Sequence, residues 1–206
     1  DPLLKMANSF VEDQKLSGVK FSKIDEAFAK NSRVFLDGLR KSQPETNFYP
    51  DANSTMRLTT GSVNTLPVRT DRNYFGIKEK DNYYTDINGM AAKNKKGDEE
   101  FELPQRFLDL VKKKDFGQYT DKKGFMPVNF LSNNDITGGN SGSPILDGEG
   151  RLLGLAFDGN SEALSGDIIF DPKLQKTINV DIRMVLWTIE KYGKAGHLIS
   201  EMTLVK

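Results

Sequence analysis

The stretch TGGNSGSPILDGEGRLLGLAFDGN runs from Thr137 to Asn160. Its centre, Gly139-Asn140-Ser141-Gly142-Ser143-Pro144, has the composition of a loop that presents a nucleophilic serine. A serine hydroxyl attacks a carbonyl well only when a base removes its proton. The oxyanion that forms needs preorganised N–H donors, and a glycine-rich turn supplies them because its backbone approaches closely and tolerates positive φ. In such a turn the N–H groups of Gly139 and Ser141 would point at the oxyanion. The heptapeptide alone fits a plain Gly/Ser turn between strands equally well.

The surroundings narrow the choice. Val128-Asn129-Phe130-Leu131 upstream reads as a buried strand. Downstream, Pro144-Ile145-Leu146 and Leu152-Leu153-Gly154-Leu155-Ala156-Phe157 flank the turn Asp147-Gly148-Glu149-Gly150, a strong hairpin signal. A serine loop between two strands is the setting found in chymotrypsin-type barrels. The elbow of α/β-hydrolases needs G-x-S-x-G on a strand-to-helix turn. Here the fifth position is Ser143, Pro144 follows, and a hairpin comes next.

Further out, Asp167-Ile168-Ile169-Phe170 and Thr177-Ile178-Asn179-Val180 read as strands. Asp181 is a good N-cap for the helix Ile182–Tyr192, and Gly193 stands where that helix should stop. Upstream, Ser54–Val63 alternates and is rich in strand formers, and Asn73–Ile77 reads as another strand. Residues 86–100 are polar, with Lys93–Glu100 a solvated loop. Pro104–Lys114 reads as a short helix with Phe107, Leu108 and Val111 on one side. The first 45 residues are helix-like: Leu3, Leu4, Met6, Ala7, Phe10 and Val11 follow a spacing near 3.6. A second helix is expected from the N-cap Ser22, with Ile24, Phe28, Phe35 and Leu39 on one face. Pro44 and Pro50 bracket a break. The expected fold is mainly β with a helical arm, divided into residues 1–50 and 51–206.

Composition excludes several classes. The 206 residues carry 29 basic and 29 acidic side chains, so no net charge argues for nucleic acid or an anionic membrane. No apolar run reaches the ~18 residues of a membrane span. With no cysteine and one histidine, neither a thiolate nor a histidine metal site is expected, and no cofactor is implied. The opening Asp1-Pro2-Leu3-Leu4-Lys5 reads as a cut in a longer protein.

The only histidine is His197, 56 residues after Ser141 and just past the expected terminal helix. In chymotrypsin-type chains the order is His, Asp, Ser. His197 is therefore read as a surface or helix-end residue. The base, and with it the orienting aspartate, is expected upstream of this chain.

Several blocks carry a more specific likeness. Phe48–Thr59, Asn134–Pro144, Gly154–Asn160, Ser165–Ile168 and Thr177–Arg183 resemble, in order, the S46 family of bacterial dipeptidyl peptidases. The resemblance covers nearly the whole chain, most specifically residues 48–60 and 127–198. It implies the C-terminal half of a chymotrypsin-like double β-barrel with a closing C-terminal helix. Residues 1–50 would be the last helices of a helical domain inserted to cap the active site. It implies a periplasmic or cell-surface homodimer of a Gram-negative bacterium. Its partners would be peptides with free N-termini, from which it removes dipeptides.

The resemblance also places site residues. The catalytic serine falls on Ser141, with its histidine and aspartate far upstream. Asp158, which by type alone reads as the start of a turn before Gly159-Asn160, becomes the anion for the substrate's α-ammonium. Gly159 becomes the S1 selector. An arginine there would suit an acidic P1 side chain, whereas glycine leaves an open apolar pocket for aliphatic or aromatic P1 side chains. Ser161 departs from the bulky aromatic expected after Gly159-Asn160. Two other readings stand beside this one. One is a non-catalytic β-barrel binding module with a helical arm, and the other is an endopeptidase. As the isolated half of a two-barrel enzyme, the chain is expected to expose the apolar face that met its missing partner, which would drive self-association or a swapped arm built from residues 1–45.

Overall fold

The computed structural model describes residues 2–45, 54–67, 82–166 and 170–205. The chain divides after Pro50 into two compact units, Asp1–Pro50 and Asp51–Lys206. The expected strands at Asn73–Ile77 and Asp167–Phe170 fall mainly outside the described residues.

Among its described residues the first unit holds one helix, α1, Pro2–Ser42. Pro2 suits the first turn, where its missing N–H has no intrahelical partner anyway. Arg40 and Lys41 complement the dipole in the last turn. The Ser42 hydroxyl and Gln43 N–H both donate to the Leu39 carbonyl, and Pro44 follows. The expected second start at Ser22 is not there, because Ser22 lies in mid-helix. A single interior glycine such as Gly18 costs a helix only about 1 kcal/mol, too little to end a 41-residue helix. Ile24, Phe28 and Phe35, which share one face, are exposed.

The second unit is a mixed helix and antiparallel-sheet structure rather than mainly β. Its strands are β1 (Tyr84–Asp86), β2 (Pro127–Ser132), β3 (Pro144–Leu146), β4 (Leu152–Gly159) and β5 (Thr177–Asp181). They form one sheet in the order β1-β2-β5-β4-β3, every pair antiparallel. The β3–β4 hairpin forms at the expected turn. There the Asp147 carboxylate accepts from the Arg151 N–H first and also from the Glu149 N–H, which holds its pKa below the usual value.

The segment Ser54–Val63 is not a strand; among the described residues it makes one bridge, Val63 to Ser132. It crosses the end of β2, where the Asn133 side chain takes the Ser62 N–H in place of a ladder partner. A Cβ on Gly61 would lie 2.8 Å from the Asn134 backbone nitrogen, so only glycine lets the chains pass this closely.

Helices pack with the sheet of the second unit. These are α2 (Ile87–Ala92), α3 (Gln105–Lys112), α4 (Ile182–Trp187) and α5 (Gly196–Ser200). α2 lies in the stretch expected to be polar and irregular. The Asp86 side chain caps it, accepting from Asn88 and Gly89 N–H, and Ile87 is fully buried. The apolar cluster joins Ile87, Phe107, Val111, Met126, Leu186 and Trp187. Trp187 is the centre, edge-on to Phe107 with centroids 5.3 Å apart, its Nε1–H donating to the Asp115 carbonyl at 2.9 Å. Asp181 caps α4 through the Arg183 N–H and also pairs with the Arg183 guanidinium at 2.7 Å. The helix continues through a wider turn, Thr188–Tyr192, and stops at Gly193.

Candidate active site

β2 is second in the sheet and β3 is its far edge, so the link Asn133–Ser143 must cross the ends of β5 and β4. That crossing sets Ser141 where it is. The link is pinned at its start, where the Thr177 hydroxyl of β5 donates to the Asn134 carbonyl at 2.8 Å. It is pinned at its finish by Gly142 N–H to Ala156 O at 2.7 Å and Ala156 N–H to Ser143 O at 2.9 Å. Between these points the turn takes φ of 96° at Gly139 and 84° at Gly142, a region that favours glycine. The Asn140 side chain closes the turn on itself, accepting from Thr137 N–H at 3.3 Å and from the Arg57 guanidinium at 3.4 Å.

Ser141 is exposed at the lip of the sheet. Its hydroxyl donates to the Phe157 carbonyl at 3.2 Å. That carbonyl is available because β4 carries a bulge between Ala156 and Asp158: Ala156 faces Asn179 and Asp158 already faces Ile178, leaving Phe157 unpaired. The N–H groups of Asn140, Gly142 and Ser143 donate to Thr137, Ala156 and Asn140 carbonyls. Among the described residues, the Gly139 and Ser141 N–H groups donate to none.

Asp158 follows Phe157 directly, so Ser141 and Asp158 flank one peptide unit. One Asp158 carboxylate oxygen accepts the Gly159 N–H at 2.7 Å, and the side chain is exposed. Gly159 ends β4 and meets the 3-10 turn Ser161–Ser165. Beside that turn is a shallow cleft lined by Asn134, Ile136, Ala163, Phe170, Gln175 and Lys176, among others. Lys176 is buried, and loss of hydration pushes its pKa down against the opposing pull of Asp171. Its ammonium donates to the Pro172 carbonyl.

His197 lies in α5, exposed, with its carbonyl accepting the Ser200 hydroxyl. No described hydrogen bond joins it to Ser141. Among the described residues no group of three His, Asp or Glu side chains could hold a metal ion, and no helix is long and apolar enough to cross a membrane. The structure thus brings Ser141, Gly139, Asp158 and Gly159 to one end of β4. It adds Arg57, Thr177, Asn160 and Ala163, which motif reading did not single out. Nothing in their sequence neighbourhoods separates them from ordinary strand and turn residues, since their roles come from contacts that only the folded chain draws, from Ala163 against Gly159 to Arg57 on Asn140, 83 positions apart.

The sheet and its serine-bearing turn belong to a chain whose fold is similar to that of solved structures. DPP11 of Porphyromonas endodontalis, crystallised with the dipeptide Arg-Glu, matches with a TM-score of 0.73 at 32% identity, over 82% of this chain and 23% of that one. The model of Peptidase S46 matches residues 1–204, and the chain belongs to that family. Dipeptidyl-peptidase 7 of Capnocytophaga gingivalis is 49% identical over 206 residues, all of this chain and 28% of the relative. The Asp/Glu-specific dipeptidyl-peptidase of the same organism is 46% identical over 168 residues, 82% of this chain and 23% of the relative. The chain therefore spans about a quarter of the length of these relatives.

Proposed function

We propose that this chain is the nucleophile-bearing C-terminal part of a serine peptidase that releases dipeptides from free N-termini. The observation that carries this reading is the arrangement around one carbonyl. Ser141 Oγ rests on Phe157 O, Asp158 is the next residue, and the Gly139 and Ser141 N–H groups have no partner among the described residues. Two extended residues span roughly 7 Å. An anion this near the nucleophile can therefore hold the α-ammonium of a substrate whose second carbonyl lies over Ser141. A desolvated ammonium needs such a partner. The hydrogen bond from Gly159 holds the Asp158 carboxylate in one orientation.

In this reading Ser141 Oγ forms a bond to the carbonyl carbon and the oxyanion takes the two free N–H groups. The amine then leaves with the proton, and water releases the dipeptide from the acyl-serine. The Phe157 carbonyl that now holds the serine proton is not a base. The base and its orienting aspartate are assigned to an upstream part of the parent, in a chymotrypsin-like first barrel. Residues 51–206 then serve as the second barrel and closing helix, and residues 1–50 as the end of an inserted helical domain. The parent is read as a homodimer of the periplasm or surface of a Gram-negative bacterium.

The P1 preference is read as hydrophobic. Residue 159 is glycine, and the cleft beside it presents Ile136, Ala163 and Phe170. The cation on its wall, Lys176, is tied to the Pro172 carbonyl beside Asp171 and so is a poor partner for an acidic P1 side chain. The test uses the intact parent with a free-amine dipeptidyl reporter carrying leucine at P1. Turnover is expected, with loss on N-acetylation of the reporter and loss of at least roughly 10³-fold in Ser141→Ala. Undiminished turnover in Ser141→Ala would remove the assignment. Turnover of the N-blocked reporter would make the enzyme an endopeptidase.

A further inference from the structure

Glycine at 159 does not face open space. A Cβ built there would lie 2.7 Å from the Ala163 Cβ, closer than real carbon atoms approach. We propose that Ala163 is a second specificity-determining residue of the P1 site: its methyl occupies the room that any side chain at 159 would need, and it walls the cleft against which P1 packs. This deepens the proposed reading of Gly159 as selector and rests on it.

The contact decides something only if the 3-10 turn Ser161–Ser165 cannot withdraw. It is fastened at both ends. At its start, Asn160 is held to the segment leading into β5 by its own N–H to Lys176 O at 3.0 Å. Its side chain accepts Lys176 N–H at 2.8 Å and donates to Leu174 O at 2.8 Å. Within the turn, Ala163 N–H donates to Asn160 O and Gly166 N–H to Ala163 O, each at 2.9 Å. At its finish, the buried Gln175 donates to the Ser165 hydroxyl at 3.0 Å. Moreover, the obstructing atom is a Cβ fixed to that backbone, not the tip of a long side chain that could swing aside. Withdrawing Ala163 means breaking several of these bonds. Shaving its methyl means breaking none.

The cleft places Ala163 in the same wall as Ile136 and Phe170. One methyl group thus acts twice: it gives an apolar surface to P1, and it makes the single exchange Gly159→Arg insufficient to convert the site to acidic P1. An arginine at 159 would carry the charge for that conversion, but its Cβ has no place until residue 163 is glycine.

The experiment uses the intact parent in four forms: unaltered, Gly159→Arg, Ala163→Gly, and the double variant. Each is assayed on free-amine dipeptidyl reporters with leucine or glutamate at P1, and the ratio of kcat/KM values is compared. The expected result is that Gly159→Arg loses turnover on leucine without gaining on glutamate. The double variant should raise the glutamate-to-leucine ratio at least about tenfold above Gly159→Arg, the value of one charge-assisted hydrogen bond. If Gly159→Arg alone reaches the ratio of the double variant, Ala163 is no constraint and the inference fails while the selector reading stands. If neither variant moves the ratio, residue 159 does not face P1 and both fail. Should Gly159→Arg not fold, thermal unfolding of Gly159→Ala is read with and without Ala163→Gly. Recovery of the melting point by the second exchange supports the contact, and equal melting points overturn it.

Discussion

At the scale of single residues, Asp158 and Gly61 give the cleanest expectations. If Asp158 holds the substrate ammonium, Asp158→Asn in the intact parent should raise KM for a free-amine dipeptidyl reporter by roughly tenfold or more. That corresponds to the loss of one charge-assisted contact. An unchanged KM would leave Asp158 as the turn residue its type alone indicates. Gly61→Ala should destabilise by about 1–3 kcal/mol, since its Cβ would press on the Asn134 backbone nitrogen at 2.8 Å. Melting of the two proteins side by side reads this. The turn that carries Ser141 was visible in the sequence because a serine in a glycine-rich stretch before a hairpin is a local pattern. Ala163 was not visible, and it alters the reading of its neighbour. The expected open space at Gly159 is filled by a methyl four positions on, brought back by a turn that sequence alone does not draw.

At the scale of elements, the hairpin β3–β4, β2, β5 and the helix capped by Asp181 were legible, because each has a strong local signal at its ends. The helix α2 was missed. Its residues Asn88, Gly89 and Ala92 are poor markers of an apolar face, and only the packing of Ile87 shows why the segment coils. The expected strand Ser54–Val63 failed for the opposite reason: its alternation is real, but its polar groups meet asparagine side chains and a strand end. In the helical layer, Tyr119 is buried and donates to Glu190. Burial first, and then this carboxylate, push its pKa up from 10.0 to about 12. The folded state thus holds the phenol proton more tightly than the unfolded chain. Its contribution to stability is complete below about pH 10 and is lost as the pH rises through about 12. Tyr119→Phe should flatten the fall in melting temperature across that window; an equal fall in both proteins would mean other groups govern it. Trp187→Ala should cost about 3–5 kcal/mol, because it empties the centre of the apolar cluster and strands the Asp115 carbonyl.

At the scale of the whole molecule, the proposed reading places a nucleophile on this chain and its base upstream, and among the described residues no hydrogen bond joins His197, in its separate helix, to Ser141. The 206-residue chain by itself is therefore expected to be silent on dipeptidyl reporters, and to self-associate through the apolar side chains exposed on α1. Sedimentation at rising concentration reads the second point, and a monomer throughout would contradict it. The most direct test of the central claim is covalent. The intact parent is treated with a free-amine dipeptidyl diphenylphosphonate carrying leucine at P1, and the modified residue is mapped by peptide mass. The expected result is one phosphonyl adduct, on Ser141, with turnover lost in proportion. An adduct on any other residue, or complete inactivation with Ser141 unmodified, would contradict the assignment of Ser141 as the nucleophile.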